Sequence, residues 1–373
     1  MSKTLNFTKM KTLLPYKLCF LFLLVSSHLI ANTARRFDGK HTKEKIVKKA
    51  FSVNPNATLE VDNSYGNINV TTYEGSIITI EIRIKTNGND LEKVTEKLND
   101  ISIDFSGSDT MVSAKTLFNK AKSSSWWNWG KSNTVNMEIN YIIKMPITND
   151  IDITNDYGNI DLDKLEGRAV IHCDYGKITT KELMSSNNDI SFDYTNNSYF
   201  EFINGGNIDA NYSNYTVGKA KELAINADYT KSEVEIAERI TYNCDYGSIE
   251  INNANTVIGN GDYLTVRLGT IYKHINLKAD YGSINIEKMA ANAEHIDIES
   301  DFNGITIGYD AAFSFKFDID LEYASLRNAD NFEFSKKHIE STDQYYQGYY
   351  GDANTPNYIR IKSEYGSVTF KKK

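Results

Sequence analysis

The sequence predicts an all-β protein: a parallel β-solenoid (β-helix) of roughly 18-residue coils, with a small N-terminal α+β capping segment. Three observations carry this. First, one phrase keeps returning: an acidic or amide residue, Tyr, usually Gly, one residue, then Ile or Val alternating with polar residues. It stands at Tyr157-Gly158, Tyr175-Gly176, Tyr246-Gly247, Tyr281-Gly282 and Tyr365-Gly366, with weaker copies at Tyr194, Tyr212, Tyr229, Tyr263, Phe302 and Tyr323. Second, the steps from Tyr157 to Tyr323 are 18, 19, 18, 17, 17, 17, 18, 21 and 21 residues. Third, the apolar parity switches across each Tyr-Gly pair. Ile151 and Ile153 alternate up to Tyr157, whereas Ile160 and Leu162 follow it. Both sets can face one core only if the chain bends between them.

The elements follow in order. Residues 1–31 read as a signal peptide: Lys3, Lys9, Lys11 and Lys17 precede the apolar run Leu18 to Val25, which is short for a membrane span. No later segment could cross a bilayer, so none is expected once the signal is removed. Residues 32–50 are a basic, mobile leader. Residues 51–147 hold an early copy at Tyr65-Gly66, alternating strands such as Ile78 to Ile84, and a short helix. Leu91, Val94 and Leu98 share one face of that helix, and Asn89 or Asp90 caps it. This unit covers the open first coil. Residues 148–330 are the coils, each a strand, a corner at Tyr-Gly, a second strand and a looser turn. The corner Gly supplies a positive φ. Residues 331–357 are a loop insertion carrying Tyr345, Tyr346, Tyr349 and Tyr350. Residues 358–373 are the final coil and a Lys tail, whose charge discourages end-to-end pairing.

Composition narrows the function. The chain carries a formal charge of −8, and the first 31 residues hold four Lys and no acid, so the exported part is more acidic still. An acidic surface excludes nucleic acid as a partner. Cys173 and Cys244 remain after processing, each two residues before a repeat Tyr. Four coils apart, they are separated by roughly 19 Å, beyond disulfide reach, and read as buried free thiols.

Stacking turns equivalent residues into columns. The Tyr column shares inward parity with the Ile positions and forms a stiffening ladder near the corner. The preceding residues, among them Asp156, Asp174, Asp228, Asp245, Asp262 and Asp280, form an outward acidic column. Neighbours about 4.8 Å apart repel by roughly 1 kcal/mol even in water. Either each carboxylate accepts backbone N–H groups at the corner, or the column is a row of weak Ca²⁺ sites. No other cofactor is expected.

Two aromatic clusters are candidate contact surfaces for a glycan or an envelope protein: Trp126, Trp127 and Trp129, and the Tyr345–Tyr350 group. Packing over the ends of the stack is the alternative for both. The histidines His41, His172, His274, His295 and His338 are scattered, with no pair at ligand spacing and no phosphate loop. His172 and Cys173 point to opposite faces of a strand. No catalytic residues are assigned.

The ordered set resembles a known family. An export signal, the Tyr65-Gly66-Asn67-Ile68 copy, a strand–helix–strand unit and Ile143-Lys144-Met145-Pro146 lead into Asp150-Ile151-Asp152-Ile153 and the Gly-x-Ile coils. This resembles the "putative adhesin" domain family of bacterial exported proteins, over about residues 55–370. The resemblance implies a β-solenoid and attachment, and transfers no catalytic residues. The expected function is a non-enzymatic exported β-solenoid, an adhesin-like binding or structural module of the cell envelope, periplasmic or extracellular. A carbohydrate-active β-helix enzyme, a polysaccharide lyase or glycosidase, is the alternative.

Overall fold

A computed structural model describes residues 37–119 and 135–373. The signal read over residues 1–31 and the cluster Trp126, Trp127 and Trp129 lie outside the described residues. The described chain is all-β: one mixed sheet of 26 strands, and one helix, α1 (Leu91–Asn99).

Most of the sheet is two sets of parallel strands, one before each repeat aromatic and one after it. In the first set Ile153, Ile171, Ile190, Ile208 and Ile225 lie in register, followed by Tyr242, Gly259, Leu277 and Ile298. In the second, Ile249, Val266, Ile284, Ile305 and Val368 do the same. These residues are buried, and at most steps aliphatic side chains pack on aliphatic. Large residues are matched by small neighbours. The buried Tyr215 sits between Ser198 and Ser232, and Gly259 leaves room for the Tyr242 ring, which a Cβ there would strike.

The corner is built differently from the expectation. The aromatic residue, not the glycine, takes the left-handed conformation: φ is +58° at Tyr157, +53° at Tyr246 and +52° at Tyr365, and likewise at every other repeat aromatic. One left-handed residue turns the chain and swaps the inward parity, so both flanking strands face the same core. It also swings the aromatic side chain outward. Tyr157 and Tyr323 are 50% and 53% exposed, so the inward parity assigned to this column is corrected. Glycine follows for lack of space. A Cβ on Gly158, Gly176, Gly247, Gly282 or Gly366 would overlap a backbone carbonyl of the adjoining repeat.

On the N-terminal side the pairing becomes antiparallel. Ile77–Gly88 lies between His41–Ser52 and Asn136–Pro146. Residues 41–50, expected to be mobile leader, are therefore an edge strand. Its hydrogen bonds to Ile77–Gly88 hold it while most of its side chains face solvent, so no apolar alternation announces it. Asp90 caps α1, accepting from the N–H groups of Glu92 and Lys93, and Val94 buries the helix against the sheet.

The C-terminal side holds two further corrections. Residues 331–357 are not a loop: Glu333–Glu340 and Asp343–Tyr350 form an antiparallel hairpin laid on Phe315–Glu322. The last repeat is not last in space. Tyr358–Glu364 lies between His295–Asp301 and Phe315–Glu322, and Val368–Lys372 pairs with both Gly304–Tyr309 and Leu326–Arg327. Lys371 and Lys372 thus belong to a strand and pair on one side, with Gly308 and Tyr309. Glu333–Glu340 is an edge strand, exposed throughout and carrying Lys336 and Lys337.

Candidate functional site

The repeat aromatics form one ladder. From Tyr65 through Tyr157, Tyr175, Tyr194, Tyr212, Tyr229, Tyr246, Tyr263 and Tyr281 to Phe302, ring centroids are 4.8–5.3 Å apart and the planes within 10° of parallel. Tyr365 and Tyr323 complete it, in that spatial order, at 4.6 and 4.8 Å. The faces are stacked on one another, so the ladder presents edges and hydroxyls to the outside.

Beside it runs the acidic column. Asp174 accepts from the backbone N–H of Asp193 at 3.2 Å, Asp228 from Asp245 at 3.3 Å, Asp245 from Asp262 at 2.7 Å and Asp280 from Asp301 at 2.8 Å. The amide oxygen of Asn211 does the same for Asp228 at 3.3 Å. Each acceptor reaches one repeat along the stack, so these bonds join repeats, and amide serves as well as carboxylate.

The column's first members are less regular. Asp156 and Asp174 come together with His172, their ligand atoms all within 4.8 Å. Burial first, and then the Asp174 charge, raises the Asp156 carboxyl above its ordinary range. His172 Nε2 stands 3.5 Å from Asp174, and its Nδ1 meets Ser191 Oγ at 2.8 Å. Cys173 and Cys244 are buried and free, and burial pushes both thiols up to about 12.

The hairpin divides the Tyr345–Tyr350 group. Tyr346 and Tyr350 are buried. Tyr350 packs with Tyr309, Phe315 and Phe332 in an aromatic cap, and donates to the carbonyl of Ala311. These two side chains hold the end of the stack and have little surface left for a ligand. Tyr345 lies on the outer face, donating to Asp318 at 3.1 Å with the Lys336 ammonium over its ring. Tyr349 lines a cleft of about 390 Å³ with Lys316, Asp318, Tyr358 and Arg360.

One grouping escaped the sequence reading. His274 and His295 pair in register, and Glu294 brings its carboxylate 3.2 Å from His274 Nε2. The two histidines are 21 residues apart, one long repeat. That interval was the available signal, visible once repeats rather than neighbours are compared.

No family model matches the chain, and no curated protein matches it. Solved structures are similar over most of their length. A putative adhesin from Parabacteroides distasonis is 12% identical, with 90% of this chain and 98% of that chain covered and a TM-score of 0.32. A putative adhesin from Parabacteroides merdae is 10% identical, covering 89% and 97%, with a TM-score of 0.30. A putative cell adhesion protein from Clostridium sporogenes is 12% identical, covering 88% and 100%, with a TM-score of 0.16.

Proposed function

We propose that this chain is a non-enzymatic, exported binding module of the bacterial envelope, adhesin-like in use, its parallel repeats wound as a β-solenoid of roughly 18-residue coils. In that reading residues 148–330 and 358–373 are the rod, residues 51–147 its N-terminal cap and residues 331–357 part of its C-terminal cap. Export rests on the Lys-rich apolar start of the chain. No described helix is long and apolar enough to cross a membrane.

The observation that carries the proposal is how the carboxylates are used. A glycosidase keeps a pair of acids free and facing across a groove. Here Asp174, Asp228, Asp245 and Asp280 accept backbone N–H groups along the stack. A second support is the cleft at the C-terminal side, where Tyr349 and Tyr358 stand with Lys316 and Arg360. Aromatic rings beside cationic groups suit a sugar carrying carboxylate or sulfate, or an acidic protein segment. Calcium on the Asp column is a subsidiary proposal. Corner carboxylates already accepting N–H groups keep lone pairs for a weak ion.

The test is a binding screen of the exported chain against glycans and envelope extract, alongside Tyr349→Ala and Arg360→Ala variants. Saturable binding weakened by these substitutions is the expected result. Turnover of a polysaccharide, abolished by one Asp substitution, would replace this proposal with the lyase or glycosidase alternative. Binding that persists in both variants but is lost on replacing Trp126, Trp127 and Trp129 would move the contact surface to that cluster.

A further inference from the structure

A row of side chains crosses the outer face near the C-terminal side of the stack. His274, His295, Tyr358, Lys316 and Tyr349 occupy one register on five neighbouring strands. Its last three members line the cleft. Its first two, with Glu294, make a different kind of place.

Glu294 ends the turn that precedes the strand of His295. Its backbone is held on both sides: its N–H donates to the carbonyl of Lys273 at 2.9 Å, and its carbonyl accepts from Tyr358 at 3.1 Å. The His295 ring lies between two others, 4.2 Å from Tyr358 and 5.3 Å from His274, which fixes its orientation. One ligand atom from each of His274, Glu294 and His295 lies within 4.8 Å of the other two. The closest pair, His274 Nε2 and Glu294 Oε2, is 3.2 Å apart. Two donors bound tetrahedrally at zinc–nitrogen and zinc–oxygen bond lengths stand roughly 3.3 Å apart.

A second observation points the same way. His295 Nδ1 is shut off from solvent and has no hydrogen-bond partner among the described residues. A buried ring nitrogen left unpaired is uncommon and calls for an unseen water or ion. At the Asp156–His172–Asp174 group both ring nitrogens have partners, Ser191 Oγ at Nδ1 and Asp174 at Nε2.

We propose that His274, Glu294 and His295 form a divalent transition-metal site of the zinc type. Two imidazoles and one carboxylate suit zinc-like ions better than Ca²⁺ or Mg²⁺, which take oxygen donors. Three protein ligands leave a fourth position for water or for a donor atom of a partner. The site adjoins the cleft across the Tyr358 ring, so a bound metal would add a Lewis-acidic contact to the cleft's cations. The metal site stands whether or not the cleft binds a glycan.

The test uses the exported chain stripped with chelator, titrated calorimetrically with Zn²⁺ and separately loaded with Co²⁺. Saturable uptake at this site and the visible absorption of tetrahedral Co²⁺ are expected. His274→Ala and His295→Ala should each weaken Zn²⁺ binding at least about tenfold and abolish the Co²⁺ bands. His172→Ala should change neither. Metal-free melting of each variant near that of the parent shows that it folds; if one does not, the Co²⁺ spectrum of the parent and the remaining variant decide. Failure of the stripped parent to take up Zn²⁺ saturably, or uptake that both His variants retain, would overturn the assignment.

Discussion

The middle of the stack and its C-terminal side are made from the same repeat and put to different use. Between residues 198 and 280 the strands are long: Asn214–Asp228, Lys231–Asp245 and Gly247–Asp262 each span almost a whole repeat, and only the corner interrupts them. The looser turn has shrunk to nothing, and the step falls to 17 residues. Toward the C-terminus the step grows to 21, turns reappear at 290–294 and 310–314, and Glu294 belongs to the first of these. The cleft, the aromatic cap and His295 lie on this side, and His295 pairs with His274 of the last long strand, Leu264–Asp280. Regularity builds the parallel strand sets, and added residues at the loose turn give them side chains that the ladder does not occupy.

The comparison can be broken by substitution. The largest effect is expected in the cap. Phe315 is fully buried against Tyr309, Phe332, Tyr350 and Phe370. Phe315→Ala should cost about 3–5 kcal/mol in chemical denaturation. Hydrogen exchange should show the loss concentrated in 309–350, with 198–280 still protected; uniform loss would mean that the two regions are one cooperative unit.

Next come two glycines. A Cβ at Gly282 meets the backbone carbonyl of Leu264, whereas one at Gly304 meets nothing within 4 Å. Gly282→Ala should cost about 2 kcal/mol or more and Gly304→Ala less than about 0.5. Equal losses would show that close approach is not what requires glycine at the corner.

The ladder should matter less per ring. Tyr246 stacks at 4.9 Å on both Tyr229 and Tyr263. Tyr246→Ala should cost about 1–2 kcal/mol through the two lost stacking contacts. Tyr246→Gly should fare better than alanine, because glycine adopts the left-handed corner without strain. The reverse order would remove the left-handed aromatic from the account.

The smallest effect concerns Asp156, whose carboxyl is raised by burial and by Asp174. A raised folded-state value means that the charged form opposes folding above that range. Asp156→Asn should therefore stabilise the fold at pH 7, by about 0.5 kcal/mol or less. The gain should fade as pH falls through the carboxylate range, where the native group is protonated in both states. A gain that persists undiminished at low pH would place the effect in packing.

What was legible in the sequence was whatever repeats. The Ile columns, the parity switch and the Tyr ladder follow from a fixed step and an alternation of two, which the chain displays openly. The left-handed Tyr was not legible. A Tyr-Gly pair invites the usual assignment of positive φ to glycine, and only the close approach of the neighbouring carbonyl reveals why glycine stands there. The strand His41–Ser52 was hidden because backbone pairing rather than burial holds it. Tyr346 and Tyr350 looked like loop residues because their alternation runs through Gln347 and Gly348 without an aliphatic residue. Of the candidate site, the Asp column was visible as a column, whereas His274 and His295 meet only once the strands are laid in register.

The threaded final repeat has a consequence in time. Strand 295–301 waits for 358–364, which lies about 60 residues on, and 315–322 has no parallel partner until that segment arrives. Built from its N-terminus, the chain can pair strands in order as far as Tyr309, and must then hold a gap one strand wide. The closing segment enters that gap with a neighbour waiting on either side, as a keystone does. A chain stopped at residue 357 would lose a repeat from inside the stack, and with it the parallel attachment of everything from 315 to 350.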